Sequence, residues 1–177
     1  MRRSRTEEFL EFATAQSGQL FRSACLLTSG DTHLAEDLVQ ETLGRMYALW
    51  GRTGLLGRAV RIDNPAAYAQ TVLVRTFLSH RRRRSAGERP LGELPDVAQP
   101  PAPGDDPELR VALLDALAEL APKDRAVVVL RYWEDRSIEE TAQIMRVSSA
   151  AVRTRSVRAL ARLRDGLGGS LVEYAAC

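Results

Sequence analysis

The side chains in this chain best suited to chemistry are arginines at helical spacing. Arg153, Arg155, Arg158, Arg162 and Arg164 crowd the stretch SSAAVRTRSVRALARLR. A guanidinium presents a planar fork of donors that matches phosphate oxygens and the O6/N7 edge of guanine, so a helix carrying several of them suits nucleic acid. Covalent chemistry has no comparable support. His33 and His80 stand in separate surroundings, and no nucleophile–base spacing appears. Glu36, Asp37 and Glu41 form an acidic cluster with no nucleophile, histidine ligand set or glycine-rich phosphate loop beside it. That cluster is a solvated helix face or a docking surface for a basic partner. Cys25 and Cys177 are the only cysteines, which excludes a disulfide framework and a cysteine zinc site and suits a reducing cytoplasm. No catalytic residue, metal or cofactor is expected.

The arginines must be held by helices, and Asp135–Arg164 specifies two. Ser137 with Glu140 has the S-x-x-E spacing of a capping box. Ile138, Thr141, Ala142 and Met145 then recur on one face. Arg146–Val147–Ser148 breaks the pattern in place of the glycine common in such turns, and Ser148 caps a second helix. Val152, Val157, Leu160 and Leu163 are expected on its packed side. Two helices, a tight turn and a basic second helix describe a helix-turn-helix, whose second helix enters the DNA major groove.

Composition bounds the rest. The 177 residues carry a net charge of only +2, so any attraction for nucleic acid is local. Lys123 is the only lysine. No long apolar run or signal-peptide pattern occurs, so the chain is expected neither to span a membrane nor to be exported by that route.

In chain order, a first helix is expected from Thr6 to Leu27, capped by Thr6, and a turn at Ser29–Gly30–Asp31. A second helix, His33–Trp50, turns Leu34, Leu38, Met46 and Leu49 to a core. Gly51–Asp63 is a loop. Asn64 caps a third helix, with Pro65 at its first position where a missing donor costs nothing. That helix runs into His80 and the block Arg81–Arg84. Ser85–Pro107 holds six prolines, with acidic Glu93, Asp96, Asp105 and Asp106 among them, the composition of an extended linker. Beyond it, Val111, Leu114, Leu117 and Leu120 line one side of a fourth helix. Pro122 opens a fifth, its apolar run Val127–Leu130 buried, Trp133 closing a small core and Arg131 exposed. The expectation is all-α: two small helical domains, 1–84 and 108–177, joined by a Pro-rich flexible linker, 85–107.

Three stretches in this order, AEDLVQETLGRMYALW, NPAAYAQTVLVRTFLSHRRRR and LAPKDRAVVVLRYWEDRSIEETA with the helix-turn-helix, resemble one family. It is the sigma-70 family of bacterial RNA polymerase initiation factors, and within it the short extracytoplasmic-function group, which retains domains two and four. The resemblance implies a dissociable specificity subunit without enzymatic activity, acting in the cytoplasm. Its partners would be core RNA polymerase, through the β′ clamp helices and the β flap, and promoter DNA. Many relatives also have an anti-sigma factor, which nothing in the sequence identifies.

The resemblance gives Asp37, Leu38, Val39, Gln40 and Glu41 to the clamp helices. It gives Arg61, Asn64, Tyr68, Thr71, Arg75, Ser79, Arg81 and Arg82 to the −10 element. Relatives often carry Asn where Arg75 stands, and an aromatic near His80. The −35 element falls to Ser148, Ser149, Arg153, Thr154, Arg155 and Arg158. Two other readings explain less of the chain. A stand-alone helix-turn-helix regulator leaves Ala35–Trp50 and the arginine-ended third helix without a purpose. An interaction module of helical hairpins leaves the arginines unexplained.

Overall fold

Helix α1, Arg5–Thr28, begins where Ser4 and Glu7 cap one another, the Glu7 N–H donating to Ser4 Oγ at 3.2 Å and the Ser4 N–H to Glu7 Oε2 at 2.8 Å. The cap is therefore Ser4 rather than Thr6, because only Ser4 has a glutamate three residues on. The computed structural model describes residues 4–50, 62–86 and 106–168. Most of the proline-rich stretch, the loop 51–61 with Arg61, and the C-terminal residues 169–177 lie outside the described residues.

α1 ends at Ser29 and Gly30, both left-handed. The turn reverses the chain into α2, Thr32–Trp50, where Asp31 Oδ1 accepts the Leu34 N–H at 2.9 Å. The hairpin is closed at its far end by aromatic rings, with Phe12 and Phe9 at 4.9 and 5.5 Å from Trp50. α3, Pro65–Ala86, lies across both helices, with Asn64 Oδ1 accepting the Ala67 N–H at 3.0 Å. Leu20, Leu27, Leu38, Met46, Leu73 and Phe77 are fully buried among the three.

The C-terminal half comprises α4 (Pro107–Ala118), α5 (Pro122–Val128), α6 (Ile138–Met145) and α7 (Ser149–Gly166). α5 continues into a π-helical turn, Val129–Trp133, in which the Glu134 N–H reaches back to the Val129 carbonyl at 2.9 Å. This wide turn corrects the expectation for Trp133. The extra residue swings Tyr132 and Trp133 outward, and both are half-exposed, whereas Arg131 is partly buried. Val127, Val129 and Leu130 are buried as expected.

Two other apolar residues expected inside are outside. Steps of three residues fall about 60° short of a full turn, so Val111 drifts off the face held by Leu114, Ala116, Leu117 and Leu120 and is half-exposed. On α7 the buried side is Val152, Ser156, Ala159 and Leu163, and Val157, about 140° round from Val152, is 72% exposed.

The chain is all-α among its described residues. The two halves pack against each other: Ile144, Met145 and Val152 share one buried cluster with Leu73, Val74 and Phe77. A second, smaller cluster joins α4 to α7 through Leu117, Ala159 and Leu163.

Candidate nucleic-acid interface

The acidic segment of α2 divides by helical phase. Leu38 and Val39 point into the core, at 1% and 8% exposure. Asp37 and Gln40 are exposed and Glu41 partly so, with Glu41 Oε1 2.6 Å from the Arg45 guanidinium. Two of the five residues thus anchor the helix, and three present a polar, net acidic edge.

On α3, Tyr68 is exposed, while Thr71 is partly buried and donates its hydroxyl to the Ala67 carbonyl at 3.1 Å. Asn64, Tyr68 and Thr71 line a cavity of about 510 Å³ whose far wall is Arg136, Glu140 and Gln143 of the other half. Arg75 does not point to solvent. Its Nε donates to the Ile144 carbonyl at 3.0 Å and its Nη2 to the Gln143 carbonyl at 3.2 Å, at the end of α6 where carbonyls lack helical partners and carry the negative pole of the helix. Ser79, Arg81 and Arg82 border a second cleft, to which Arg45, Lys123, Arg146 and Arg155 also contribute. His80 is partly buried. Burial, with Arg84, Arg83 and Arg81 nearby, lowers its pKa, against a raising influence from Glu41.

The helix-turn-helix forms as the capping residues dictate. Ser137 Oγ accepts the Glu140 N–H at 3.0 Å and Glu140 Oε2 accepts the Ser137 N–H at 2.8 Å. Arg146 takes the left-handed conformation, φ 56°, that a glycine would adopt at such a turn. Ser148 Oγ accepts the Ala151 N–H at 3.1 Å, with Ser149 opening α7.

Along α7 the arginines have two different environments. Arg153 and Thr154 are exposed, Arg153 only loosely paired with Glu139 at 3.9 Å. Arg155 and Arg158 converge on Asp124, whose side chain is 2% exposed: Arg155 Nη1 lies 2.6 Å from Oδ1, and Arg158 donates through Nε at 3.1 Å and Nη2 at 3.0 Å. Burial alone would raise the Asp124 pKa, but the hydrogen bonds from Arg158 and Arg155 outweigh it and hold the carboxyl below its usual range. Asp124 therefore fixes how α7 is rotated on α5, and the outward face becomes Ala150, Arg153, Thr154 and Val157, all exposed. Arg158 keeps about half its side chain exposed. With five donors on a guanidinium, it can hold Asp124 and still meet a phosphate.

Sequence reasoning did not single out Asp124 and Arg125. The signal available was a charged pair, DR, placed directly before the buried run AVVVL. Arg125 is 3% exposed. It donates to the carbonyls of Leu117 (2.7 Å), Ala118 (3.1 Å) and Leu120 (3.1 Å) at the end of α4, and of Leu27 (2.9 Å) at the end of α1. Burial pushes its pKa down to about 10. Among the described residues no group of histidine, cysteine, aspartate and glutamate is arranged to hold a metal, and no helix is long and apolar enough to cross a membrane.

Known proteins bear the same marks. Residues 110–163 match the family model described as Sigma-70, region 4. The RNA polymerase sigma-E factor of Streptomyces avermitilis is 38% identical over 160 residues, spanning 90% of this chain and 85% of that protein. The RNA polymerase sigma factor CarQ of Myxococcus xanthus is 36% identical, over 80% and 79% of the two chains. Among solved structures, the sigma factor RpoE of Bartonella quintana, in complex with the anti-sigma factor NepR, superposes with a TM-score of 0.66 at 27% identity, covering 93% of this chain and 97% of that one. CnrH, solved with the cytosolic domain of CnrY, shares the fold at 20% identity and a TM-score of 0.61. With the helix-turn-helix, its capped arginine helix and this match over nearly the whole chain in hand, the protein belongs to the sigma-70 family of RNA polymerase sigma factors, in its extracytoplasmic-function group.

Proposed function

We propose that the two halves of this sigma factor divide promoter recognition between them. Residues 108–177 read the −35 element through α7: Arg153 and Thr154 face base edges, and Ser148, Ser149, Arg155 and Arg158 meet the phosphate backbone. Residues 1–84 dock on core polymerase through the exposed edge Asp37, Gln40 and Glu41, with Leu38 and Val39 as the anchors that hold the edge in place. They read the −10 element through the loop that includes Arg61 and through Asn64, Tyr68, Thr71, Ser79, Arg81 and Arg82. Residues 85–107 connect the two.

The observation that carries this reading is the orientation of α7. Its apolar side is buried and two of its arginines are tied to Asp124, which leaves a small-residue and arginine face free at the N-terminal end, the end that a recognition helix inserts. No covalent chemistry is asked of the chain. It acts in the cytoplasm, where polymerase and chromosome are found. An anti-sigma factor is a further partner, supported by the complex in which the Bartonella relative was solved.

Run-off transcription with core RNA polymerase and promoter fragments tests the assignment. Discrete transcripts that need both proteins, and that vanish with Asp37→Arg while duplex binding to −35 DNA persists, are expected. Transcripts that survive Asp37→Arg unchanged would move the docking face elsewhere. Tight duplex binding without any polymerase-dependent transcript would favour a free-standing regulator.

A further inference from the structure

We propose that this sigma factor binds a small polyphosphate, a chain of three or more phosphates either free or carried by a nucleoside, in the basic cleft where α3 meets α5 and the turn between α6 and α7. The site is separate from the polymerase and promoter assignments, although it shares three arginines with them.

The cleft, of about 870 Å³, falls in the range of roughly 300–1,000 Å³ typical of small-molecule sites. Seven of its described lining residues are basic and none is acidic. Arg81 and Arg82 come from α3, Lys123 from α5, Arg146 from the turn and Arg155 from α7, so charge converges on one space from several elements. The other two arginines are already engaged, Arg45 with Glu41 at 2.6 Å and Arg75 with the carbonyls that end α6. Arg155 is tied to Asp124. Among the described residues no carboxylate pairs with Arg81, Lys123 or Arg146. Neighbouring groups feel the surplus. Burial first and Arg81 second lower the Arg125 pKa, and burial followed by Arg84, Arg83 and Arg81 lowers that of His80.

Arg146 is the most telling of these residues. Its backbone is left-handed, φ 56°, a conformation that strains any residue with a Cβ and leaves glycine unstrained. Its side chain is exposed and forms no salt bridge with a described residue to offset that strain. Residues held this way gather at ligand clamps, and a guanidinium lining a basic cleft calls for an anion. Arginine forks take phosphate oxygens in pairs, and the lysine ammonium takes them as a point charge. The Ser79 hydroxyl adds a neutral donor, while Leu78, Ile144 and Met145 give the cleft an apolar wall against which a base can lie. An anion of one or two charges leaves most of these donors idle, whereas a polyphosphate occupies them. A polyphosphate held there also withdraws Arg81, Arg82 and Arg155 from promoter DNA, and this consequence alone rests on the proposed function.

The test is calorimetric titration of the full chain with inorganic tripolyphosphate and, separately, with ATP and GTP. Orthophosphate serves as the control, and salt is held fixed because charge-driven binding is screened. Saturable binding of one molecule per chain is expected for at least one of the three probes, with orthophosphate at least about 10-fold weaker. Lys123→Ala and Arg146→Gly should each weaken that binding by about 10- to 100-fold, the worth of one hydrogen bond to a charged group. Arg146→Gly also guards against misfolding, since glycine suits φ 56° and its urea midpoint should match or exceed that of the wild type. Arg162→Ala removes an exposed arginine outside the cleft and should leave the affinity unchanged. Tighter binding of ATP or GTP than of tripolyphosphate would identify the nucleoside-borne form, with its base on the apolar wall. Tripolyphosphate binding as tightly as either would identify the free chain.

Absence of saturable binding for all three probes would overturn the inference. So would an equal loss of affinity in Arg162→Ala and Arg146→Gly, which would reduce the effect to diffuse charge. Binding of a single-stranded oligonucleotide that depends on Arg146, with none of the three probes bound, would make the cleft a path for a DNA strand instead. The titrations contain neither DNA nor polymerase, so they decide the site whether or not the promoter assignments hold.

Discussion

At the scale of single residues, the most informative side chain is one the sequence places wrongly. Val157 has the composition of a core residue, yet it is 72% exposed on the face that carries Arg153 and Thr154. On the proposed reading of α7, its methyls would stand where a recognition helix meets base edges, and the apolar feature available in the major groove is the thymine 5-methyl group. Replacing thymine by deoxyuridine, position by position, removes that methyl and nothing else. One such replacement in the −35 element is expected to weaken binding of the wild-type protein by about 0.5–1 kcal/mol, the worth of roughly one buried methyl. The same replacement should have no effect on Val157→Ala, so that the two changes are non-additive in a double-mutant cycle. Equal sensitivity of both proteins at every thymine would mean that Val157 touches no base. The proposed reading by Arg153 and Thr154 would then stand without it.

At the scale of elements, the pairing of α5 with α7 hangs on one buried carboxylate. Asp124 holds Arg155 and Arg158 at once, and its pKa is held below the ordinary value. The sign follows directly. A depressed native pKa means that the unfolded chain binds the proton more readily, so the contribution is complete above about pH 4, the ordinary aspartate value, and is lost as pH falls through the lower native value. Asp124→Asn should cost about 3 kcal/mol at neutral pH, the low end for breaking a buried pair because the arginines keep contact with water. Urea denaturation at pH 7 and again below pH 3 checks both statements, since the gap between variant and wild type should shrink on the acid side. A constant gap would assign the loss to shape rather than charge.

This clamp also marks where sequence reading runs out. The caps at Asn64, Ser137 and Ser148 were legible because the groups they satisfy lie three residues away. The Ser137–Glu140 box and the arginine helix followed from local pattern. Asp124 meets its partners across more than thirty residues of chain, and the outward turn of Trp133 depends on a π-helical register that no apolar spacing encodes. At Arg146 the sequence showed the missing glycine, and the structure shows an arginine accepting its φ of 56°.

At the scale of the whole molecule, the question is whether two halves that share buried residues also share their stability. Arg125 is the natural probe, because it ties the end of α4 to the end of α1 through four backbone carbonyls. An ammonium cannot reproduce a planar fork that reaches four acceptors, so Arg125→Lys leaves carbonyls unpaired in a buried place, at about 1–3 kcal/mol for each group stranded. The two tryptophans fall one to each half: Trp50 closes the α1–α2 hairpin, and Trp133 ends the π-helical turn of the other. Trp133→Phe and Trp50→Phe therefore isolate fluorescence from one half at a time. With Arg125 in place, both signals should report one transition at the same denaturant midpoint, as expected where the halves brace each other. With Arg125→Lys, both midpoints should fall and separate, since the contact across the halves is lost together with those inside α4. Separate midpoints already present in the wild-type background would show that each half folds on its own account. In that case the shared cluster around Ile144, Met145 and Phe77 would hold the halves together and contribute little to the folding of either half.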